Sequence, residues 1–159
     1  MKSPIIIALD MDIKSALKLA EKIDPAVCKL KVGSQLFTTS GPFVIEKLND
    51  LGFDIFLDLK FHDIPNTVSK SVEAAVKMGV WMLNVHSLGG KEMLNAAYAV
   101  IEKSKIKPLL LGVTILTSLN NEALENVGIH LSSQEQVLLL AKLCQNTGLD
   151  GVVCSPNEL

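Results

Sequence analysis

The sequence predicts one β/α-barrel domain, a (β/α)₈ or TIM barrel, with about six of the eight strands present in its 159 residues. Three observations predict this fold. Short apolar runs alternate with helix-like patterns from end to end, the runs are almost continuously hydrophobic, and polar residues stand near the ends of most of them. Such alternation is typical of a parallel sheet whose strands are covered on both faces. We interpret residues 1–159 as a single, incomplete barrel domain without a linker or repeat.

The elements follow from hydrophobic spacing and from the residues that end each pattern. Strands are expected at residues 5–10, 27–33, 54–60, 81–86, 109–117 and 151–154. Helices are expected at residues 13–23, 42–51, 66–78, 92–103, 121–126 and 133–146, because apolar residues recur there at helical spacing. Pro25, Gly52, Gly79 and Gly148 follow four of these helices as stop signals, and Asn66 is predicted to cap the third.

Two parallel-sheet architectures compete, an open doubly wound sheet and a closed barrel. The first strand is not followed by the Gly-x-Gly-x-x-Gly turn of dinucleotide-binding sheets. Counting in twos along the strands instead places Asp10, Lys31, Lys60, His86 and Thr117 on one face at the carboxyl ends of five strands. Barrel enzymes build their sites at those ends, which favours the barrel.

The most informative stretch is the third strand, which ends in Asp58, Lys60 and Asp63. Side chains two apart on a strand share a face, so Asp58 and Lys60 are expected to lie together, while Ile55 and Leu57 face the helices. A surface ion pair at a strand end is the alternative interpretation. The polar ends of the neighbouring strands favour a site.

Lys31, Asp58, Lys60 and Asp63 supply alternating charges that could form a rigid array, suited to stabilising charge that develops in a reaction. A lysine held between carboxylates is suited to act as a general acid, whereas a Schiff-base nucleophile needs a neutral amine. The residues therefore predict an enzyme that handles a developing carbanion or oxyanion. Lys29 would lie one layer deeper, directed towards the lower mouth of the barrel.

Composition excludes several other classes of protein. The formal net charge is −2, from 15 basic and 17 acidic residues without a run of like charge, which argues against nucleic-acid or membrane-surface binding. The apolar run after residues 1–4 is too short for a signal peptide, and none is long enough to span a bilayer. Three widely spaced cysteines lack metal-ligand spacing, and we expect a reduced cytoplasm.

The run from Asp58 to Thr67, Asp-Leu-Lys-Phe-His-Asp-Ile-Pro-Asn-Thr, resembles the signature of the orotidine 5′-phosphate decarboxylase family. Segments in the same order as in that family extend the resemblance over essentially the whole chain. They are Ile-Ala-Leu-Asp at 7–10, Lys-Leu-Lys-Val-Gly at 29–33, Asn-Val-His at 84–86, Val-Thr-Ile-Leu-Thr-Ser at 113–118 and Gly-Val-Val-Cys-Ser at 151–155.

The resemblance implies decarboxylation of orotidine 5′-phosphate to uridine monophosphate without a metal or cofactor. It further implies that Lys60 protonates C6 as CO₂ leaves, with Asp58 beside the departing carboxylate. Lys31 and Asp10 would lie near the ribose hydroxyls, and Thr117 and Ser118 by the pyrimidine ring.

The resemblance also implies a homodimer in which Asp63, Ile64 and Thr67 reach into the neighbouring subunit's site. His62 is expected to have a structural or interface role, and His86 to be either at the site rim or a hydrogen-bonded core residue.

Two alternatives stay open at this stage. Related barrels that act on keto-gulonate and hexulose phosphates share the Asp-x-Lys-x-x-Asp strand end, bind Mg²⁺ and carry a Glu where Lys31 stands, and a lysine there would repel the ion. The other alternative is a catalytically incompetent barrel fragment. The sequence ends just past the sixth strand, before the family's phosphate-gripping Gln and Gly-Arg, so low activity and marginal stability are expected of the chain alone.

Overall fold

The computed structural model describes residues 4–155, which form a six-stranded parallel half-barrel of the TIM type with helices on its outer side. The strands are β1 (Ile6–Ala8), β2 (Lys29–Gly33), β3 (Ile55–Phe61), β4 (Met82–His86), β5 (Leu109–Val113) and β6 (Gly151–Val153). The helices are α1 (Ile13–Ala20), α2 (Ser34–Ser40), α3 (Phe43–Asp50), α4 (Pro65–Lys77), α5 (Gly90–Lys103), α6 (Asn121–Asn126) and α7 (Ser133–Asn146).

The strands pair in chain order, β1-β2-β3-β4-β5-β6, and every pair is parallel. This order confirms the barrel prediction, because a doubly wound sheet reverses its strand order at a switch point. Within residues 4–155, β1 pairs only with β2 and β6 only with β5, so each presents an open edge. Ile6 of β1 and Leu109 of β5, both on the concave face, are 38% and 36% exposed.

The core lies between the convex face of the sheet and the helices. Alternate strand residues supply it, among them Leu30, Ile55, Leu57, Leu83 and Leu110, each fully buried. The opposite residues of the same strands face the inside of the half-barrel, where the polar and charged side chains collect. The alternation by twos predicted from the sequence therefore separates the core from the candidate site.

Most elements lie where the sequence predicts them, although several begin or end a few residues away from the predicted bounds. The prediction misses α2, which follows β2 without a loop at Gly33 and carries only one fully buried residue, Leu36. Asn66 does not cap α4: the helix begins at Pro65, and Ile64 occupies the cap position. Proline is favoured at the first helical position because its missing N–H would have no helical partner there.

Several sequence-based predictions extend to the chain ends. The residues that the structure describes do not include 1–3, which belong to the segment for which no signal peptide is predicted. They also do not include 156–159, which follow the predicted sixth strand in the sequence. The predicted domain 1–159 includes both segments. Between residues 4 and 155, no helix combines the length and the apolar character that crossing a membrane requires.

Candidate active site

The carboxyl ends of β2 and β3 bring two lysines onto one carboxylate. Lys31 Nζ lies 3.1 Å from Asp58 Oδ2, and Lys60 Nζ lies 2.7 Å from Asp58 Oδ1. Asp10, beyond the end of β1, adds a weaker contact, with its Oδ1 3.8 Å from Lys31 Nζ. We call Asp10, Lys31, Asp58 and Lys60 the charge array. Three of the four charges predicted to form an array, Lys31, Asp58 and Lys60, are in contact, whereas Asp63 is not among them. The roles of these residues stay predictions.

Asp58 is the buried centre of the charge array. Its side chain is 11% exposed, against 25% for Lys31 and 36% for Lys60. Burial by itself raises the pKa of Asp58, but hydrogen bonds from Lys60, Asn84 and Lys31 together outweigh it and hold the pKa below its ordinary value. Asp58 is therefore an anion at neutral pH and pairs with both lysines.

The end of β3 departs from regular strand geometry at the charge array. Leu57 pairs with Leu83 and Phe61 with Val85, so four steps along β3 match two along β4 and two residues are extra. Lys60 lies within this bulge, with φ of 52°, and is the one non-glycine residue with positive φ in the part of the chain that the structure describes. Backbone strain of this kind concentrates at functional sites, which supports the assignment of this region as a site.

Asn84 contacts the charge array but is not among the site residues predicted from the sequence. It lies on the inner face of β4, is fully buried, and its Nδ2 donates to Asp58 Oδ1 at 2.7 Å. The available signal was its position: a polar side chain two residues before His86, on a strand whose other three residues are apolar.

Asp63, Ile64 and Thr67 lie apart from the charge array. All three are exposed, Ile64 by 67%, and the Asp63 carboxylate accepts the backbone N–H of Ile64 at 2.7 Å. Among the residues described, Asp63 forms no ion pair with the array of its own subunit. This placement leaves the three residues available to another molecule.

The predicted position of Thr117 on a strand is wrong. β5 ends at Val113, and residues 116–119 form an exposed turn in which Leu119 N–H donates to Leu116 O at 2.9 Å. Ile115 turns away into a second small core with Leu124, which ends the strand alternation. Thr117 and Ser118 still follow the carboxyl end of β5, the edge of the sheet on which the array lies.

The structure also places the remaining polar candidates. His86 is buried at the end of β4 and stacks on exposed His62, with ring centroids 5.1 Å apart. Burial lowers the pKa of His86, and the neighbouring His62 and Lys60 lower it further. Lys29 is buried, and its ammonium lies 4.9 Å over the ring of Trp81, which precedes β4 at the lower mouth of the half-barrel. That position agrees with the predicted direction of Lys29.

The arrangement suits one kind of chemistry. A fixed pair of ammonium groups beside a buried carboxylate can stabilise negative charge developing on a ligand without rearranging, and partly exposed Lys60 can deliver a proton to that ligand. Within residues 4–155, no cluster of three or more His, Cys, Asp and Glu side chains is arranged to hold a metal ion.

Comparison with known proteins extends these observations. Residues 3–159 match the profile of the orotidine 5′-phosphate decarboxylase / HUMPS family. The chain is 53% identical over 159 residues to orotidine 5′-phosphate decarboxylase of Pseudomonas fluorescens, covering 99% of this chain and 68% of the relative. It is 51% identical over 156 residues to the protein of that name from Saccharophagus degradans, covering 98% and 66%. The chain thus spans about two thirds of the length of these curated relatives.

Solved structures show the same fold. The crystal structure of orotidine 5′-phosphate decarboxylase from Lactobacillus acidophilus superposes with a TM-score of 0.90 at 41% identity, covering 98% of this chain and 73% of the other. An uncharacterized conserved protein from Geobacillus kaustophilus gives a TM-score of 0.92 at 35% identity, with 98% and 75% coverage.

Proposed function

Since this chain belongs to the orotidine 5′-phosphate decarboxylase / HUMPS family, we propose that its charge array serves the decarboxylation of orotidine 5′-phosphate to uridine monophosphate in cytoplasmic pyrimidine synthesis. The observation that carries this proposal is the contact of both Lys31 and Lys60 with buried Asp58 at the carboxyl ends of β2 and β3. A site of this kind stabilises charge rather than forming a covalent bond to substrate.

In the proposed step, the bond between C6 and the substrate carboxylate breaks, and its electron pair stays on C6. Lys60 Nζ donates a proton to C6, so the products are CO₂ and uridine monophosphate. Asp58 lies beside the departing carboxylate and holds Lys60 at 2.7 Å. We assign no metal or cofactor to this step, because the Lys31 ammonium already lies against Asp58, where a divalent cation would be repelled.

The remaining predicted residues are assigned to substrate binding. Lys31 and Asp10, whose Nζ and Oδ1 atoms lie 3.8 Å apart, would contact the ribose hydroxyls. Thr117 and Ser118, exposed in the turn after β5, would contact the pyrimidine ring. Both assignments rest on the family resemblance together with the location of these residues at one edge of the sheet.

The proposal is tested by following the loss of orotidine 5′-phosphate spectrophotometrically, with and without excess EDTA. Because the chain spans 68% of the P. fluorescens relative, the assay should include a chimera that adds the part of that relative which this chain does not cover. We expect the chimera to turn over substrate, and we expect EDTA to leave the rate unchanged because no step requires a metal. Strict Mg²⁺ dependence would favour the Mg²⁺-dependent sugar-phosphate class, and a chimera without turnover would contradict the proposed site.

We further propose that the protein acts as a homodimer in which Asp63, with Ile64 and Thr67, completes the partner's site. The exposure of all three residues supports this proposal, as does the absence of an ion pair between Asp63 and the array within the described part of one subunit. A shared site of this kind makes a specific prediction about mixed dimers.

Asp63→Ala and Lys60→Ala are each expected to be nearly inactive in the chimera, whereas a re-equilibrated mixture should recover about a quarter of the wild-type rate. The reason is that half of the dimers formed at random are mixed, and each mixed dimer has one site with both residues intact. Native mass spectrometry of the mixture, with one variant isotopically labelled, verifies that subunits exchange. Exchange without recovered activity would show that Asp63 does not act across the interface.

A further inference from the structure

Asn84 uses both ends of its amide on two different parts of the charge array. Its Nδ2 donates to Asp58 Oδ1 at 2.7 Å, and its Oδ1 accepts the backbone N–H of Lys60 at 2.8 Å. Asn84 is fully buried, so water cannot replace either bond. A buried polar group that loses its partner destabilises the fold. The fold therefore favours the conformation in which both bonds of the Asn84 amide are formed.

The bond to Lys60 lies where the strand ladder is interrupted. Beyond the pairing of Leu57 with Leu83, the two extra residues of β3 move the backbone out of register until Phe61 pairs with Val85. The Lys60 N–H therefore bonds to a side-chain oxygen of β4. The Asn84 amide thus bridges the bulge.

The backbone of Lys60 is the part of the array that most needs such a bridge. Its φ of 52° is unfavourable for a residue with a Cβ, and it persists only where the surroundings enforce it. This conformation also breaks the alternation by twos, so regular strand geometry does not determine where the Lys60 side chain points. Yet Lys60 Nζ reaches the same Asp58 oxygen to which Asn84 donates.

We propose that Asn84 is a positioning residue: its amide holds the β3 bulge, keeps Lys60 left-handed and thereby fixes the Lys60 ammonium on Asp58. The catalytic consequence rests on the proposed function, because it matters only if Lys60 delivers the proton. That Asn84 holds the bulge and the backbone conformation of Lys60 does not depend on which reaction the site performs.

Two substitutions separate the two bonds of the amide. Asn84→Leu keeps a similar volume but neither donates nor accepts. Asn84→Asp keeps an oxygen for the Lys60 N–H but replaces the donor to Asp58 with a carboxylate that repels it. Asn49→Leu is the matched control. Asn49 lies on α3, and its side-chain amide also makes a partly buried hydrogen bond, from Nδ2 to Met78 O at 2.9 Å.

The first measurement uses the isotopically labelled 159-residue chain and NMR. The three-bond coupling between the amide proton and Hα of Lys60 reports its φ, and exchange of the Lys60 amide reports its hydrogen bond. We expect Asn84→Leu to move the coupling towards that of an extended strand and to speed exchange, whereas Asn84→Asp and Asn49→Leu keep the wild-type coupling. An unchanged coupling and exchange rate in Asn84→Leu would overturn the proposal.

The second measurement is turnover of orotidine 5′-phosphate by the chimera carrying each substitution. Misplacing a reacting group by about 1 Å can cost about a hundred-fold in rate. We expect a kcat lower by that order in Asn84→Leu, with KM changed less than about three-fold, because an interaction used in the reaction step is lost. A raised KM with wild-type kcat would overturn the catalytic role.

Two further outcomes keep the tests separate. If Asn84→Leu does not fold, Asn84→Ser decides by the same measurement, because its side chain is too short to bridge the bulge. An unchanged Lys60 coupling in Asn84→Ser would overturn the proposal. If the wild-type chimera has no turnover, the proposed function fails, while the coupling of Lys60 in Asn84→Leu still decides whether Asn84 holds the bulge.

Discussion

Replacing Lys60 with alanine is expected to lower the kcat for orotidine 5′-phosphate in the chimera by at least about a thousand-fold, because it removes both the proton donor and one of the two cations on Asp58. Alanine meets the same penalty as lysine at a φ of 52°, so the backbone strain is unchanged by the substitution. The loss of rate therefore reports the missing ammonium.

Lys77→Ala is the matched control for this experiment. Lys77 is exposed on α4 and pairs with Glu73 at 2.9 Å, away from the carboxyl ends of the strands. Its removal should leave turnover near that of the wild type and change the free energy of unfolding by less than about 1 kcal/mol. Near-normal turnover in Lys60→Ala would mean that Lys60 is not the acid.

Asp58→Asn should affect both catalysis and stability. The substitution keeps the shape of the side chain but leaves the Lys31 and Lys60 ammonium groups close together without their shared anion. We expect a rate lower by about a hundred-fold or more. We also expect the free energy of unfolding to fall by about 1–2 kcal/mol, a modest value because both lysine side chains are partly exposed and screened by water.

The stability effect of Asp58 should depend on pH in a defined direction. Burial raises the pKa of Asp58, but the hydrogen bonds from Lys60, Asn84 and Lys31 lower it below the ordinary value of 3.8, so folding favours the ionised form. The contribution is then fully present above pH 3.8 and is lost as the pH falls through the lowered pKa of the folded state. Urea unfolding of wild type and Asp58→Asn from neutral to acidic pH measures this difference.

Asp50→Asn is the control for that series. The Asp50 side chain is 63% exposed and pairs with Lys47 at 3.5 Å on the surface. Surface pairs of this kind contribute less than about 1 kcal/mol. A wild-type rate and a wild-type free energy of unfolding in Asp58→Asn would contradict the proposed role of Asp58.

The sequence by itself determined the architecture and most of the elements. Hydrophobic runs of strand length, helical stripes and their Gly or Pro stops depend on neighbouring residues, so they can be recognised without knowing the fold. They located all six strands, and the helices α6 and α7 with their observed bounds. The alternation by twos also placed Lys31 and Asp58 on the inner face, opposite core residues such as Leu30 and Leu57.

The tertiary structure alone decided how the site is assembled. The register shift between β3 and β4 belongs to the pairing of two strands, so no local pattern in either strand predicts the bulge or the left-handed backbone of Lys60. For the same reason Asn84 looked like one more strand residue until pairing placed it against Asp58. Composition and spacing determine which face a side chain occupies, whereas contacts between strands determine which side chains meet.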